Sequence, residues 1–188
     1  ETFNCIKGRK IIYSGSIREA NGIGELLDAA KYLENLDIIF CIFGDGDDRE
    51  KLEKRTKAEN INNVIFFGRV EKKYIANIVS QASLLLLLYA KDIFSVAKYG
   101  MSQNKFFDYL ASGCAIISNL PNRYSIIQKY NCGIEKEMQT GEELARNIRK
   151  MLEDENKLME WGTNGMSAAK DFSFAEHTKK LISIIEKI

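Results

Sequence analysis

Apolar and polar positions along this chain follow two periods, one typical of buried strands and one typical of amphipathic helices. The apolar runs KIIYSG (10–15) and DIIFCIFG (37–44) predict strands that end at a glycine turn. The helical spacing of Leu26, Ala30 and Leu33 predicts a helix over 22–36. Further strands are predicted at 63–68, 83–90, 114–119 and 132–136, and further helices at 47–59, 71–82, 102–112 and 123–130.

This alternation predicts an α/β fold, a Rossmann-like parallel sheet flanked by helices, because strands alternating with helices build βαβ units. We expect one domain over 1–188, with a core at 10–154 and a helical tail at 155–188. Helix breaks are predicted near Asp154, Gly162–Gly165 and Phe172–Ser173. Ligands of such sheets bind at the carboxyl ends of the strands. The loops to inspect are therefore 14–22, 44–48, 68–71, 89–104 and 118–123.

Composition removes several classes of function. The net charge of +1 comes without a lone run of lysines and arginines, so we expect no nucleic-acid partner. Four scattered cysteines and a single histidine predict no metal site and no disulfide framework. The longest apolar run, at 84–90, is too short to span a bilayer. We expect a cytoplasmic protein that needs no cofactor.

Two early loops contain glycine in a polar setting. SGSIREANG (14–22) joins a strand to a helix, and Arg18 could add a cation to an anion site there. An ordinary strand-to-helix turn remains the alternative. FGDGDD (43–48) lacks the third glycine of a dinucleotide motif, and its carboxylates would repel phosphate. A tight turn with an aspartate as the helix N-cap explains this second loop better.

The segment KYGMSQNKFFDYLASG (98–113) carries the strongest candidate chemistry. Ser102 can cap the helix, and Lys105 and Asp108 lie on one helix face. A lysine near a helix N-terminus opposes the helix dipole, which makes sense if an anion such as a diphosphate lies nearby. Asp108 could then accept hydrogen bonds from ribose hydroxyls. The alternative is a surface ion pair between Lys105 and Asp108.

The order of these motifs, from the first loop through FGDGDDREKLE, NVIFFGRV and YGMSQNKFFDYLASG to FSFAEHTKKLISII, resembles the donor-binding half of a family 4 (group 1) glycosyltransferase with the GT-B fold. The resemblance covers nearly all of residues 10–187. It implies the C-terminal half of a longer enzyme, whose N-terminal acceptor domain is absent from this chain. The fragment alone is then expected to be inactive.

The resemblance also implies roles for individual residues. Asp108 would hold the ribose hydroxyls, and the backbone around Arg69 and Val70 would meet the base. The diphosphate would lie between two groups of residues, which are Gly15, Ser16 and Arg18 on one side and Ser102, Gln103, Asn104 and Lys105 on the other. No residue is assigned as the catalytic base, and no metal is implied.

Within the family, the sequence resembles a subgroup that builds bacterial surface polysaccharides, often from UDP-activated N-acetylated sugars. Gln103 stands where that subgroup has proline. Many family members have two glutamates eight positions apart, where this chain has Gly100 and Asp108. Ser16 and Asn21 stand where many members have an arginine and a lysine, which gives Arg18 and Lys105 more weight.

The implied reaction is transfer of a sugar, with retention of anomeric configuration, from a UDP-sugar to a polysaccharide or polyprenyl-linked acceptor. A lipid-linked acceptor would place the full enzyme at the inner face of the cell membrane. The alternative is a non-catalytic doubly wound module that binds a nucleotide or acts as a scaffold. The absence of G-x-G-x-x-G after the first strand argues against a Rossmann oxidoreductase.

Overall fold

The computed structural model describes residues 2–97, 99, 104–120 and 123–186. Within these residues one sheet of six parallel strands has the order β3-β2-β1-β4-β5-β6. The strands are β1 (Arg9–Ser14), β2 (Ile38–Phe43), β3 (Val64–Gly68), β4 (Leu84–Leu87), β5 (Ile116–Ser118) and β6 (Gly133–Glu135). The strand order reverses between β1 and β4, so the loop after β1 lies at the position where doubly wound sheets bind ligands.

Helices connect the strands and close the chain. They are α1 (Ile23–Lys31), α2 (Arg49–Ala58), α3 (Lys72–Val79), α4 (Phe94–Ala97), α5 (Asn104–Ala111), α6 (Ile126–Tyr130), α7 (Gly141–Leu152), α8 (Glu155–Asp171) and α9 (Phe174–Ile185). Short 3-10 turns occupy Thr2–Cys5, Glu19–Asn21 and Lys91–Ile93. The predicted α/β architecture with a parallel sheet and a helical tail is confirmed. The turns at 91–97 were not predicted.

The sheet is covered on both faces, as its continuous apolar strands require. Alternate residues of β1 point to opposite sides, so Ile11 belongs to one apolar cluster and Ile12 to the other. Helices α1 and α7 pack together over the first cluster, which contains Leu27 and Ile148. Helices α3, α5 and α8 cover the second cluster, which contains Tyr109 and Ala168.

The predicted break at Gly162–Gly165 is wrong, because α8 continues through both glycines. A Cβ atom at Gly162 would lie 1.9 Å from the carbonyl oxygen of Gly113, and one at Gly165 would lie 3.1 Å from that of Leu110. These glycines therefore allow α8 to approach α5 and the turn after it. Their function is close packing rather than helix termination.

The closing helix α9 leaves an apolar stripe uncovered by the described residues. Its exposed side chains are Leu181, Ile182, Ile184 and Ile185. In the part of the chain that the structure describes, no helix is long and apolar enough to cross a membrane.

Candidate functional site at the carboxyl edge of the sheet

The loops after β1 and β2 are bound to each other through their backbones. The amide of Gly15 donates to Phe43 O at 2.9 Å, and the amide of Ile17 donates to Asp45 O at 2.9 Å. The amide of Asp48 returns a bond to Ile17 O at 3.3 Å. The first loop is therefore held in one position before any ligand arrives.

The glycines of FGDGDD permit this approach. A Cβ atom at Gly44 would lie 1.7 Å from Gly15 O, and one at Gly46 would lie 2.3 Å from Ile17 O. The interpretation of this segment as a structural turn is confirmed. An aspartate, Asp48, is the N-cap residue of α2 as predicted, but its carboxylate accepts from the amide of Glu19 at 2.7 Å and makes no capping hydrogen bond to α2.

Lys105 reaches from the first turn of α5 to the end of β1. Its Nζ atom donates to the hydroxyl oxygen of Tyr13 at 2.8 Å and lies 4.1 Å from the centre of the tyrosine ring. The Tyr13 hydroxyl in turn donates to the carbonyl oxygen of Ser16 at 2.6 Å. The structure thus brings α5 against β1 and the loop that directly follows it, across a separation of 92 residues between Lys105 and Tyr13.

Gly15 makes room for this lysine. A Cβ atom there would lie 2.8 Å from Lys105 Nζ, and the φ angle of Gly15 is 154°. A larger residue would displace the ammonium group, because side-chain Cβ atoms do not approach other heavy atoms so closely. The predicted diphosphate-site residues Gly15 and Lys105 are therefore neighbours.

Tyr109 fixes α5 to the same strand one helical turn further on. Its buried hydroxyl accepts from the amide of Ser14 at 2.8 Å and lies 3.3 Å from the carbonyl oxygen of Ser14. Lys105 and Tyr109 are spaced i and i+4, so they share one helix face. Both side chains therefore contact the last two residues of β1.

The pKa of Lys105 is set mainly by its removal from water. Removal from water lowers the pKa of its ammonium group from 10.5 to about 7. Among the described residues, no carboxylate forms an ion pair with Lys105, so the alternative of a Lys105–Asp108 pair is wrong. Burial also raises the pKa of the Tyr13 and Tyr109 hydroxyls, which therefore stay neutral.

The other predicted site residues lie around this centre. Ser16 is held by Asn21, whose side-chain amide donates to Ser16 O at 2.8 Å and Ser16 Oγ at 3.0 Å. Asn104 is exposed at the start of α5, and Asp108 is half-buried on that helix. Ser102 and Gln103 lie outside the described residues.

Arg18 and the expected base-binding segment, Arg69 and Val70, contact other residues than Lys105 and Tyr13. Arg18 is exposed, lies 3.8 Å from Asp47, and lines a cavity of about 1010 Å³ beside α1, α2 and α7. Arg69 is exposed after Gly68, and Val70 packs partly against the second apolar cluster. Their roles toward a donor stay predictions.

Tyr13 and Tyr109 are the residues that sequence reasoning missed. The available signal was a tyrosine near the end of a buried strand, and a second tyrosine four positions after Lys105. Buried tyrosine hydroxyls normally have a hydrogen-bonding partner, so each could have been assigned one at the sheet edge. Within the described residues, no group of His, Cys, Asp or Glu has the arrangement of a metal site.

Comparison with known proteins shows the family. The profile described as glycosyl transferases group 1 matches residues 6–168. A protein of Escherichia coli (strain K12) named for glycosyl transfer in colanic acid biosynthesis is 37% identical over 57 residues, which are 30% of this chain and 14% of that protein.

Two further comparisons cover nearly the whole chain. An uncharacterized glycosyltransferase of Methanocaldococcus jannaschii is 23% identical over 178 residues, 94% of this chain and 48% of that protein. The structure of Anabaena HepE in complex with UDP matches with a TM-score of 0.81 and 13% identity, over 96% of this chain and 49% of that one. The chain thus spans about half the length of these two relatives.

Proposed function

Because this chain belongs to the group 1 glycosyl transferases, we propose that it binds the nucleotide-sugar donor of a sugar-transfer reaction. The observation that carries this proposal is Lys105, a half-buried cation beside Gly15 that has no carboxylate partner among the described residues. This lysine lies at the carboxyl edge of the sheet, where the strand order reverses. A diphosphate at this position would supply the negative charge that the described part of the chain does not place beside Lys105.

The proposed binding mode follows from the geometry of the two elements. The diphosphate lies against Ser16 of the first loop and Asn104 of α5, and it accepts hydrogen bonds from Lys105, which stays beside Gly15. Asp108, one turn further along α5, accepts hydrogen bonds from the ribose hydroxyls. Arg18 approaches the diphosphate from the first loop after leaving Asp47, and the backbone at 69–70 meets the base.

In the reaction, fixed positive groups stabilise the negative charge that develops on the departing nucleoside diphosphate. Lys105 performs this role most directly, because burial strengthens its interaction with an anion. We propose that this chain needs no metal for that step. The general base and the acceptor site are proposed to lie outside this chain, in a partner domain.

The finer assignments rest on the sequence resemblance and on the names of relatives. We propose UDP as the nucleotide, which agrees with the UDP complex of Anabaena HepE. A bacterial surface polysaccharide or its lipid-linked precursor is the proposed acceptor, in line with the colanic acid name of the Escherichia coli relative. An N-acetylated donor sugar, retention of configuration and a cytoplasmic location are proposed from the resemblance.

Calorimetric titration of the chain with UDP, GDP, ADP and NAD tests this function. We expect UDP to bind most tightly, and Asp108→Ala to weaken UDP binding by about 10-fold or more through loss of the ribose contacts. Asp37→Ala is the matched control, because Asp37 is exposed at the amino end of β2 and should leave affinity unchanged. Absence of nucleotide binding, or equal effects of both variants, would contradict the proposal.

A further inference from the structure

The hydroxyl of Tyr13 has a fixed orientation. It uses its only proton in the 2.6 Å hydrogen bond to Ser16 O. Toward Lys105 Nζ, 2.8 Å away, it can therefore act only as an acceptor. The direction of hydrogen bonding is thus set from lysine to tyrosine to the first-loop carbonyl.

The Lys105 ammonium group keeps unused donors after this bond. An ammonium group has three N–H donors, and one of them is directed at Tyr13. Among the described residues, no second acceptor for Lys105 Nζ is present, and neither α3 nor α8 supplies one. Two donors remain beside Gly15, where the missing side chain leaves space for the lysine.

We propose that Tyr13 is a positioning residue, which directs Lys105 toward the first loop so that the lysine binds the donor diphosphate and takes up a proton as it does so. This inference rests on the proposed function. Tyr13 itself has no contact with the donor in this arrangement. The hydrogen bond to Tyr13 persists in the complex, and the two remaining donors bind phosphate oxygens.

Proton uptake follows from the surroundings of Lys105. Among the described residues, its Nζ contacts the neutral hydroxyl of Tyr13 from β1, while Asp108 and Tyr109 lie on its own helix and Arg18 of the first loop pairs with Asp47. Burial lowers the pKa of Lys105 to about 7, so at pH 8 the amine is mostly neutral in the free chain. A bound diphosphate raises that pKa, and the added proton comes from the buffer.

The test is calorimetric titration with UDP at pH 8 in two buffers of different ionisation enthalpy. The buffer dependence of the heat gives the number of protons taken up, and we expect a net uptake of up to one proton per UDP bound. Lys105→Met should abolish the uptake. Tyr13→Phe, which keeps the ring, should weaken UDP binding about tenfold.

A double-mutant cycle separates positioning from general packing. Tyr13→Phe should have no further effect on UDP affinity when Lys105 is already methionine, because the group that it positions is gone. Tyr109→Phe is the matched control, since it removes a hydroxyl from the same interface without contacting Lys105. It should lower thermal stability and leave proton uptake unchanged.

Pyrophosphate, titrated in parallel, distinguishes the two possible failures. UDP binding without proton uptake, or with additive effects of Tyr13→Phe and Lys105→Met, would overturn the inference and leave the proposed function intact. Binding of pyrophosphate but not UDP, with uptake that depends on Lys105 and Tyr13, would support the inference and contradict nucleotide binding. If neither ligand binds, both are wrong.

Discussion

Two groups of cations in this molecule lie in opposite electrostatic environments. On the outer surface of α1 and α2, Lys31 and Arg55 both contact Glu59, at 2.8 Å and 2.7 Å, and both also contact Asp28. At the sheet edge, Lys105 contacts only a neutral tyrosine among the described residues. Carboxylates of the chain therefore pair with Lys31 and Arg55, whereas Lys105 has no carboxylate partner among the described residues.

The pKa shifts express the same difference. Hydrogen bonds from Arg55 and then Lys31 lower the pKa of Glu59 to about 2, and hydrogen bonding to Glu59 raises the pKa of Lys31. Burial shifts the pKa of Lys105 in the opposite direction, to about 7. A charge that the fold has paired contributes to structure, while a buried charge that it leaves unpaired is available for a ligand.

The largest expected effect is loss of donor binding when the unpaired cation is removed. Lys105→Met should weaken UDP binding by about 30-fold, because charge-assisted hydrogen bonds to the diphosphate are lost. Lys31→Met removes the same charge from the paired group and should change UDP affinity by less than about twofold. Calorimetric titration of both variants with UDP at pH 7 measures the two affinities. Similar losses of affinity would contradict a special role for the unpaired cation.

A second contrast comes from two glycines. Gly15→Ala places a Cβ atom 2.8 Å from Lys105 Nζ, so the lysine must move and UDP binding should weaken about tenfold. Gly24→Ala is the control, because its Cβ would lie 3.7 Å from Arg55 and no closer to any other group. Unchanged UDP affinity in Gly15→Ala would show that Lys105 does not need its present position.

Lys105 should also reduce stability in the free chain. Its folded pKa of about 7 lies below the ordinary value of 10.5, so the unfolded state binds more protons between these values. Stability of the unaltered chain should therefore rise as the pH increases from 7 to 10.5. Lys105→Met should raise the melting temperature by about 4 °C at pH 6.5, and this gain should shrink by pH 9.5. A gain in melting temperature that does not change with pH would contradict the lowered pKa of Lys105.

The smallest expected effect belongs to the paired group. Glu59 has a lowered pKa, so its contribution to stability is present above pH 4.5 and is lost as the pH falls toward 2. Glu59→Gln should lower the melting temperature by only about 1–2 °C at pH 7, since exposed ion pairs are screened. The difference from the unaltered chain should fade on acidification, as thermal melts at pH 7, 4 and 2.5 would reveal.

The sequence was sufficient for the order of the six strands, because the buried strands are continuous apolar runs, but it did not predict α4 at Phe94–Ala97. It was misleading at Gly162 and Gly165, where glycines permit close contact with α5. That contact depends on the carbonyl of Gly113, which no local pattern identifies.

For the site, the family resemblance implied Gly15 and Lys105 on opposite sides of one diphosphate, and the fold places them in direct proximity. Their connection through Tyr13 joins residues 92 positions apart, which periodicity cannot report. The sequence also left open a pair between Lys105 and Asp108, since their spacing alone allows it. The packing of α5 against β1 places Lys105 Nζ at the hydroxyl of Tyr13 instead of at the Asp108 carboxylate.

The most direct test of the account is parallel calorimetric titration of the unaltered chain with UDP and with uridine. If the unpaired Lys105 serves a diphosphate, UDP should bind at least about 100-fold more tightly than uridine at pH 7. Equal affinity for the two ligands would contradict the central claim, because the site would then recognise the nucleoside without using its buried cation.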